Sequence, residues 1–393
     1  RFFEPEHNPA PVPAAEQGYV NVPFWPTTEY LVSVSEDLLE KKNRHYASKI
    51  LDILREVTLD ARRRAITNYR TWWHFSKIVR KIPIDLITIN DLQHIDYWLD
   101  DPYDRSLVGT EIGAKWLAEL LDTDEEHGKR LALGLIDILF KANVPSEGSN
   151  LRSRKGLFRF DDWHAEKISE KIAAKAGRKL GLAAAKLFQS RLGEVLQRSN
   201  NDKWSSVWRR AIEDHEQDKY RDDVESILVS TFRDCLLGAV DAEPENAVEY
   251  VSELVRSEYD TVRRIGIHAV SERFFLLRSV SDALLDKNFF TSNFRHEMWH
   301  FLNKRYSAFT ETQRGAVVSI VDAHEERDEK GVVREGATAY WRAIWLAAIR
   351  HYAKELADRY DTAVALAGGI PEHPDFSSYM TSGWVVHKSP YTL

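Results

Sequence analysis

A single cysteine, Cys235, stands among the 393 residues, so the chain forms no internal disulfide and has no structural zinc site of paired CxxC type. That scarcity fits a reducing compartment, and a cytoplasmic protein is expected. No apolar run reaches the ~18 residues of a membrane span, so no membrane partner is expected. There is no surplus of positive charge either. Lys and Arg number 54 against 61 Asp and Glu, a formal charge of −7, whereas a dedicated nucleic-acid binder is normally basic. Phosphate loops of the GxxxxGK(S/T) or GxGxxG kind are missing, as is a GxSxG nucleophile elbow. Nothing here calls for a cofactor, and none is expected. No signal peptide opens the sequence, and it begins with Arg1 rather than Met, so it reads as a piece of a longer polypeptide.

Proline is concentrated at the ends. Six of the 13 prolines fall in residues 1–26 and three beyond residue 370, leaving Pro83, Pro102, Pro145 and Pro244 between. Because proline removes a backbone donor and clashes with the preceding helical turn, this long middle is free to be helical. Its Ala, Leu, Arg, Glu and Lys content and its apolar spacing of three and four agree. The expected class is all-α, an irregular HEAT/armadillo-like α-solenoid of paired helices, with a compact helical bundle as the rival. Residues 1–26 read as an extended Pro-rich strap or linker carrying Val22, Phe24 and Trp25. Residues 27–143 read as a first helical block, 156–370 as a second, and 371–393 as an irregular C-terminal segment. Thr27 or Thr28 is expected to cap the first helix, Asp60 the third, and one long helix is expected over 335–366.

The sharpest motif is His296-Glu297-Met298-Trp299-His300, a formal HExxH. On a helix the two histidines share a face and could bind zinc, with Glu297 as general base of a peptidase. On a helical wheel, however, both histidines point away from the stripe of Phe294, Met298, Phe301 and Leu302, and Arg295 sets a cation beside the first of them. A repeat helix carrying no metal is the plainer reading. Cys235, among Ile227, Leu228, Phe232 and Leu236, reads as a buried inert thiol. The run Glu213, Asp214, His215, Glu216 reads as a solvated helix end.

The most basic stretch holds Arg62, Arg63, Arg64, Arg70, Lys77, Arg80 and Lys81 interleaved with Trp72, Trp73 and His74. It suits either a nucleic-acid groove or, given the acidic chain, a helix with Trp72 in the core. Trp and Arg are also enriched in interaction hot spots. The residues expected to dock a partner are therefore Arg70, Trp73 and Lys77 on one helix, and Trp299 and His300 on another. Trp299 lies off the apolar stripe, free for a partner or packed on an adjacent helix.

Three stretches carry a resemblance. Trp204 to Gln217, including Trp208, Arg209 and Glu213-Asp214-His215, is the first. The second is Arg263-Arg264-Ile265 with His268, leading to His296-Glu297, and the third runs from Pro371 and Pro374 through Ser382-Gly383-Trp384 to Lys388-Ser389-Pro390. Together they resemble the helical C-terminal region of large bacterial STAND-type ATPases, including antiviral sensors related in design to NOD-like receptors. The resemblance implies an upstream effector and P-loop ATPase followed by a helical sensor that binds a foreign protein, such as a phage protein, and triggers oligomerisation. This chain would be the sensor alone, without catalysis of its own. Its partners would be the protein ligand and the upstream ATPase domain, and by itself it would be monomeric or weakly associating.

Overall fold

Few prolines and a three-and-four apolar spacing do produce helices. The computed structural model describes residues 2–103, 106–142, 158, 161–215 and 223–371. The expected break at 144–155 and all but the first residue of 371–393 lie outside them. Within them the fold is all-α. The only strands among the described residues are β1 (Val12–Pro13) and β2 (Val20–Asn21), an antiparallel pair in the N-terminal strap. No helix among them is long and apolar enough to cross a membrane. The chain divides into two compact units, Arg1–Val280 and Ser281–Leu393, a boundary that falls inside the expected second block.

In the first unit, α1 (Pro26–Val34), α2 (Arg44–Arg64) and α3 (Tyr69–Val79) lie beneath the strap. The helix starts differ from expectation. Pro26 occupies the first turn of α1 with Trp25 before it, while Thr28 donates back to the Trp25 carbonyl. Asp60 caps nothing, because α2 runs through it to Arg64, and its carboxylate pairs with Arg63 and Arg64 in the last turn. The chain then turns at Ala65, which is left-handed with φ 51°, and Asn68 caps α3 by accepting from the Arg70 and Thr71 amides. The Asn68 amide also donates to the carbonyls of Pro9 and Pro23, which ties the strap to the start of α3.

The unit continues with α4 (Leu92–Trp98), then α5 (Ser106–Gly109), a π-helical segment Thr110–Leu117 and α6 (Ala118–Leu120). There follow α7 (Glu126–Leu139), α8 (Asp162–Leu180), α9 (Leu182–Ser199), α10 (Ser205–Trp208), α11 (Val224–Ala242), α12 (Pro244–Leu254) and α13 (Asp260–Glu272). The closest helix pair is α8 with α11. A Cβ on Gly177 would lie 1.9 Å from the Cys235 carbonyl oxygen, and one on Gly238 would lie 2.5 Å from that of Ala174. Only glycine lets the two backbones approach this far.

The second unit holds α14 (Ser281–Leu284), α15 (Arg295–Arg305), α16 (Glu311–Ala323), α17 (Glu335–Ile349) and α18 (Lys354–Ala367). Thr310 and Gln313 form a capping box at the start of α16. The single helix expected over 335–366 is two. The chain folds back after Arg350, whose guanidinium lies 4.4 Å from the Tyr360 ring centre on α18. Leu356, Tyr360 and Ala363 are buried as α18 packs on α17.

Candidate recognition surface

Helix α3 is amphipathic. Trp72, Phe75, Ile78 and Val79 enter the core, so Arg70, Trp73 and Lys77, at spacings of three and four, fall toward the other side. Trp73 and Lys77 are half-buried and Arg70 is exposed. The Lys77 ammonium sits 3.3 Å from the centre of the Trp73 ring, a close cation–π contact. Burial pushes its pKa below the ordinary lysine value, with Lys115 adding to that effect and Glu111 opposing it.

Rings continue from this pair into the strap and α1. Trp73 stacks on His74 at 5.4 Å, and His74 meets the edge of Phe24 at 5.6 Å. Phe3 stacks on Tyr30 at 6.4 Å. Phe24, Tyr30 and Phe2 are 40%, 60% and 79% exposed. A cavity of about 480 Å³ opens beside them, lined by Phe2, Phe24, Trp25 and Pro9 among others. His74 is the buried anchor of this surface, its Nδ1 2.6 Å from the Thr28 hydroxyl. Because that hydroxyl donates to the Trp25 carbonyl at 2.8 Å, its oxygen accepts from His74, so Nδ1 bears a proton.

The expected basic run does not stay together. Arg62, Arg63 and Arg64 end α2, and Arg64 donates to the Pro5 carbonyl at 2.8 Å as well as pairing with Asp60. Arg80 pairs with Glu119 and with the buried Glu111 of the π segment, which also accepts from Lys115, and Lys81 pairs with Glu36 at 2.8 Å. Much of the positive charge is thus neutralised within the fold.

The second set of expected residues lies on α15, and here the wheel misleads. His296 is 8% exposed, although both histidines were expected to point away from the apolar stripe, and Glu297 beside it is 4% exposed. Trp299 is buried too, and its indole donates to the Ile344 carbonyl of α17 at 3.1 Å, so it packs rather than docks. Asn303 donates in the same way to the Ala348 carbonyl. With α17 against it, α15 buries more than its one apolar stripe. The half-buried His300 ring lies 4.5 Å from that of His296 across one helical turn.

Sequence reasoning missed a set of buried arginines. Arg264 of α13, fully buried, donates to the Ser205 hydroxyl at 2.8 Å and to the carbonyls of Arg209 and Arg210 at 2.7 and 2.9 Å. Arg233 donates to the Ile212 carbonyl and pairs with Asp214 and Asp234. Two of the stretches that carry the resemblance therefore meet, and Asp214, exposed as expected but outside any helix, pairs with Arg233. Their only signal in the sequence is arginine on otherwise apolar helices. Cys235 is buried, and burial pushes its thiol far above the ordinary value, as an inert core cysteine requires.

No family model matches the chain, and no curated protein matches it.

Proposed function

We propose that the chain is a protein-recognition region, the cytoplasmic sensor of a larger anti-phage STAND NTPase, arranged as HEAT-like helix pairs. It binds a foreign protein and relays activation to an ATPase and effector encoded on the same polypeptide. The observation that carries this reading is the half-buried Trp73–Lys77 pair, continuous through His74 with the exposed Phe24. Aromatic rings joined to a partly desolvated cation are the chemistry of binding hot spots, and they present large apolar area at small entropic cost. Trp73→Ala and Lys77→Ala, measured separately for melting temperature and for defence activity in the parent protein, test it. Activity lost at unchanged melting temperature is expected. Full activity in both variants would remove this surface from recognition.

A zinc peptidase built on His296, Glu297 and His300 is the second reading, favoured by the facing imidazoles at 4.5 Å. Elemental analysis separates the two. The recognition reading expects no zinc dependence, whereas stoichiometric zinc that disappears in His296→Ala would favour the peptidase.

A further inference from the structure

We propose that the groove walled by α16, α17 and α18 in the second unit is a docking site for a basic amphipathic helix of a partner protein. This goes beyond the recognition surface on α3 and does not depend on it. The groove encloses about 620 Å³, and its apolar floor is made by Val333, Ala339, Leu346, Ala363 and Leu366. Leu366 is 65% exposed, so the apolar edge of the groove stays open at the end of α18. A small molecule would fill the cavity and leave that edge in water, whereas a helix laid along the groove covers both.

Charge selects the sign of the occupant. Asp322, Glu325, Glu335, Glu355 and Asp358 line the groove, against Arg342 and Arg359. Arg359 is held by the groove carboxylates of Asp322 at 2.8 Å and Glu355 at 3.1 Å, and Arg342 by the backbone carbonyls of Asp322 and His324, while Glu325 pairs with Arg327. Glu335 has no ion pair among the described residues, and the nearest cation to Asp358 is Lys354 at 3.8 Å. An apolar floor rimmed by carboxylates favours a helix with apolar residues at i, i+3 and i+4 flanked by Lys or Arg, and it repels the same helix flanked by Glu.

A labelled model helix of Leu and Lys, and its Leu and Glu counterpart, titrated against the full chain with fluorescence anisotropy, tests this. The lysine peptide is expected to bind and the glutamate peptide not to. Leu366→Asp and Glu335→Lys, both at exposed positions, are expected to weaken binding by about tenfold or more. Glu170→Lys, the same charge change on α8 of the first unit, is expected to leave it unchanged. Equal binding of the two peptides, or equal loss in the Glu170 variant, would overturn the proposal. So would concentration-dependent self-association abolished by Leu366→Asp, which would assign the groove to a second copy. Binding only after removal of residues 372–393 would assign it to that segment of the chain and would overturn the proposal too.

Discussion

His74 lies where the strap, α1 and α3 meet, and its imidazole is held neutral. Burial lowers its pKa first, the Lys77 ammonium lowers it further, and Glu29 of α1 opposes. A histidine whose folded pKa is depressed adds stability above its unfolded value of about 6.5. That stability is lost as pH falls through the folded value, because the unfolded chain then binds the extra proton. The melting temperature is therefore expected to fall between neutral pH and about pH 5, with His74→Asn removing part of that fall. An unchanged pH profile in His74→Asn would show that the anchor does not titrate in this range. His94, half-buried and with its pKa also lowered by burial, contributes in the same direction, so the loss is expected to be partial. Trp73 and Lys77 were legible in the sequence as an aromatic and a cation one turn apart. The ring contact of His74 with Phe24 was not, because it joins residues fifty positions apart.

Helix ends and helix contacts depend on single side chains. Asp60 and Asn68 are both good caps by residue type. Asn68 takes the role because α2 runs on through Asp60 to Arg64 and the next helix starts only at Tyr69, while the Asn68 amide finds the carbonyls of Pro9 and Pro23. The α8–α11 contact gives a sharper test. Gly177→Ala or Gly238→Ala gains roughly 1 kcal/mol of helix propensity but drives a methyl into backbone that cannot yield, a cost of about 1–3 kcal/mol or more. A lowered melting temperature is expected for each. Gly315 of α16 has nothing within 4 Å of a built Cβ, so Gly315→Ala is expected to raise stability by up to ~1 kcal/mol. The same sign at all three positions in thermal melts would contradict the close approach. Glycine on an amphipathic helix looks alike in sequence at Gly177 and Gly315, and the neighbouring helix alone separates them.

For the molecule as a whole, the balance of charge argues against nucleic acid as partner. The net charge is −7, and Arg64, Arg80 and Lys81 from the most basic stretch are tied to Asp60, Glu119, Glu111 and Glu36. Binding to phosphates depends on free cations and counterion release. Electrophoretic mobility of single-stranded DNA at low salt is therefore expected to be unaffected by the protein. A shift that weakens steeply as salt rises would restore the nucleic-acid reading. The acidic groove of the second unit was not legible as a site, because its carboxylates are spread from Asp322 to Asp358 and only the fold-back of α18 on α17 gathers them.

The sequence by itself determined the all-α class, the core role of Trp72 and the inert character of Cys235. Each follows from residue type and local spacing, since few prolines and a three-and-four apolar period act within one or two helical turns. Tertiary structure alone decided that the HExxH helix is buried beyond its apolar stripe, that Trp299 packs on α17, and that Arg264 holds the 205–210 stretch. A hydrophobic stripe marks one buried face. When a second neighbour packs on a helix, or a long cation finds carbonyls fifty-odd residues away, the partner lies outside any local window, and only the folded chain brings the two together.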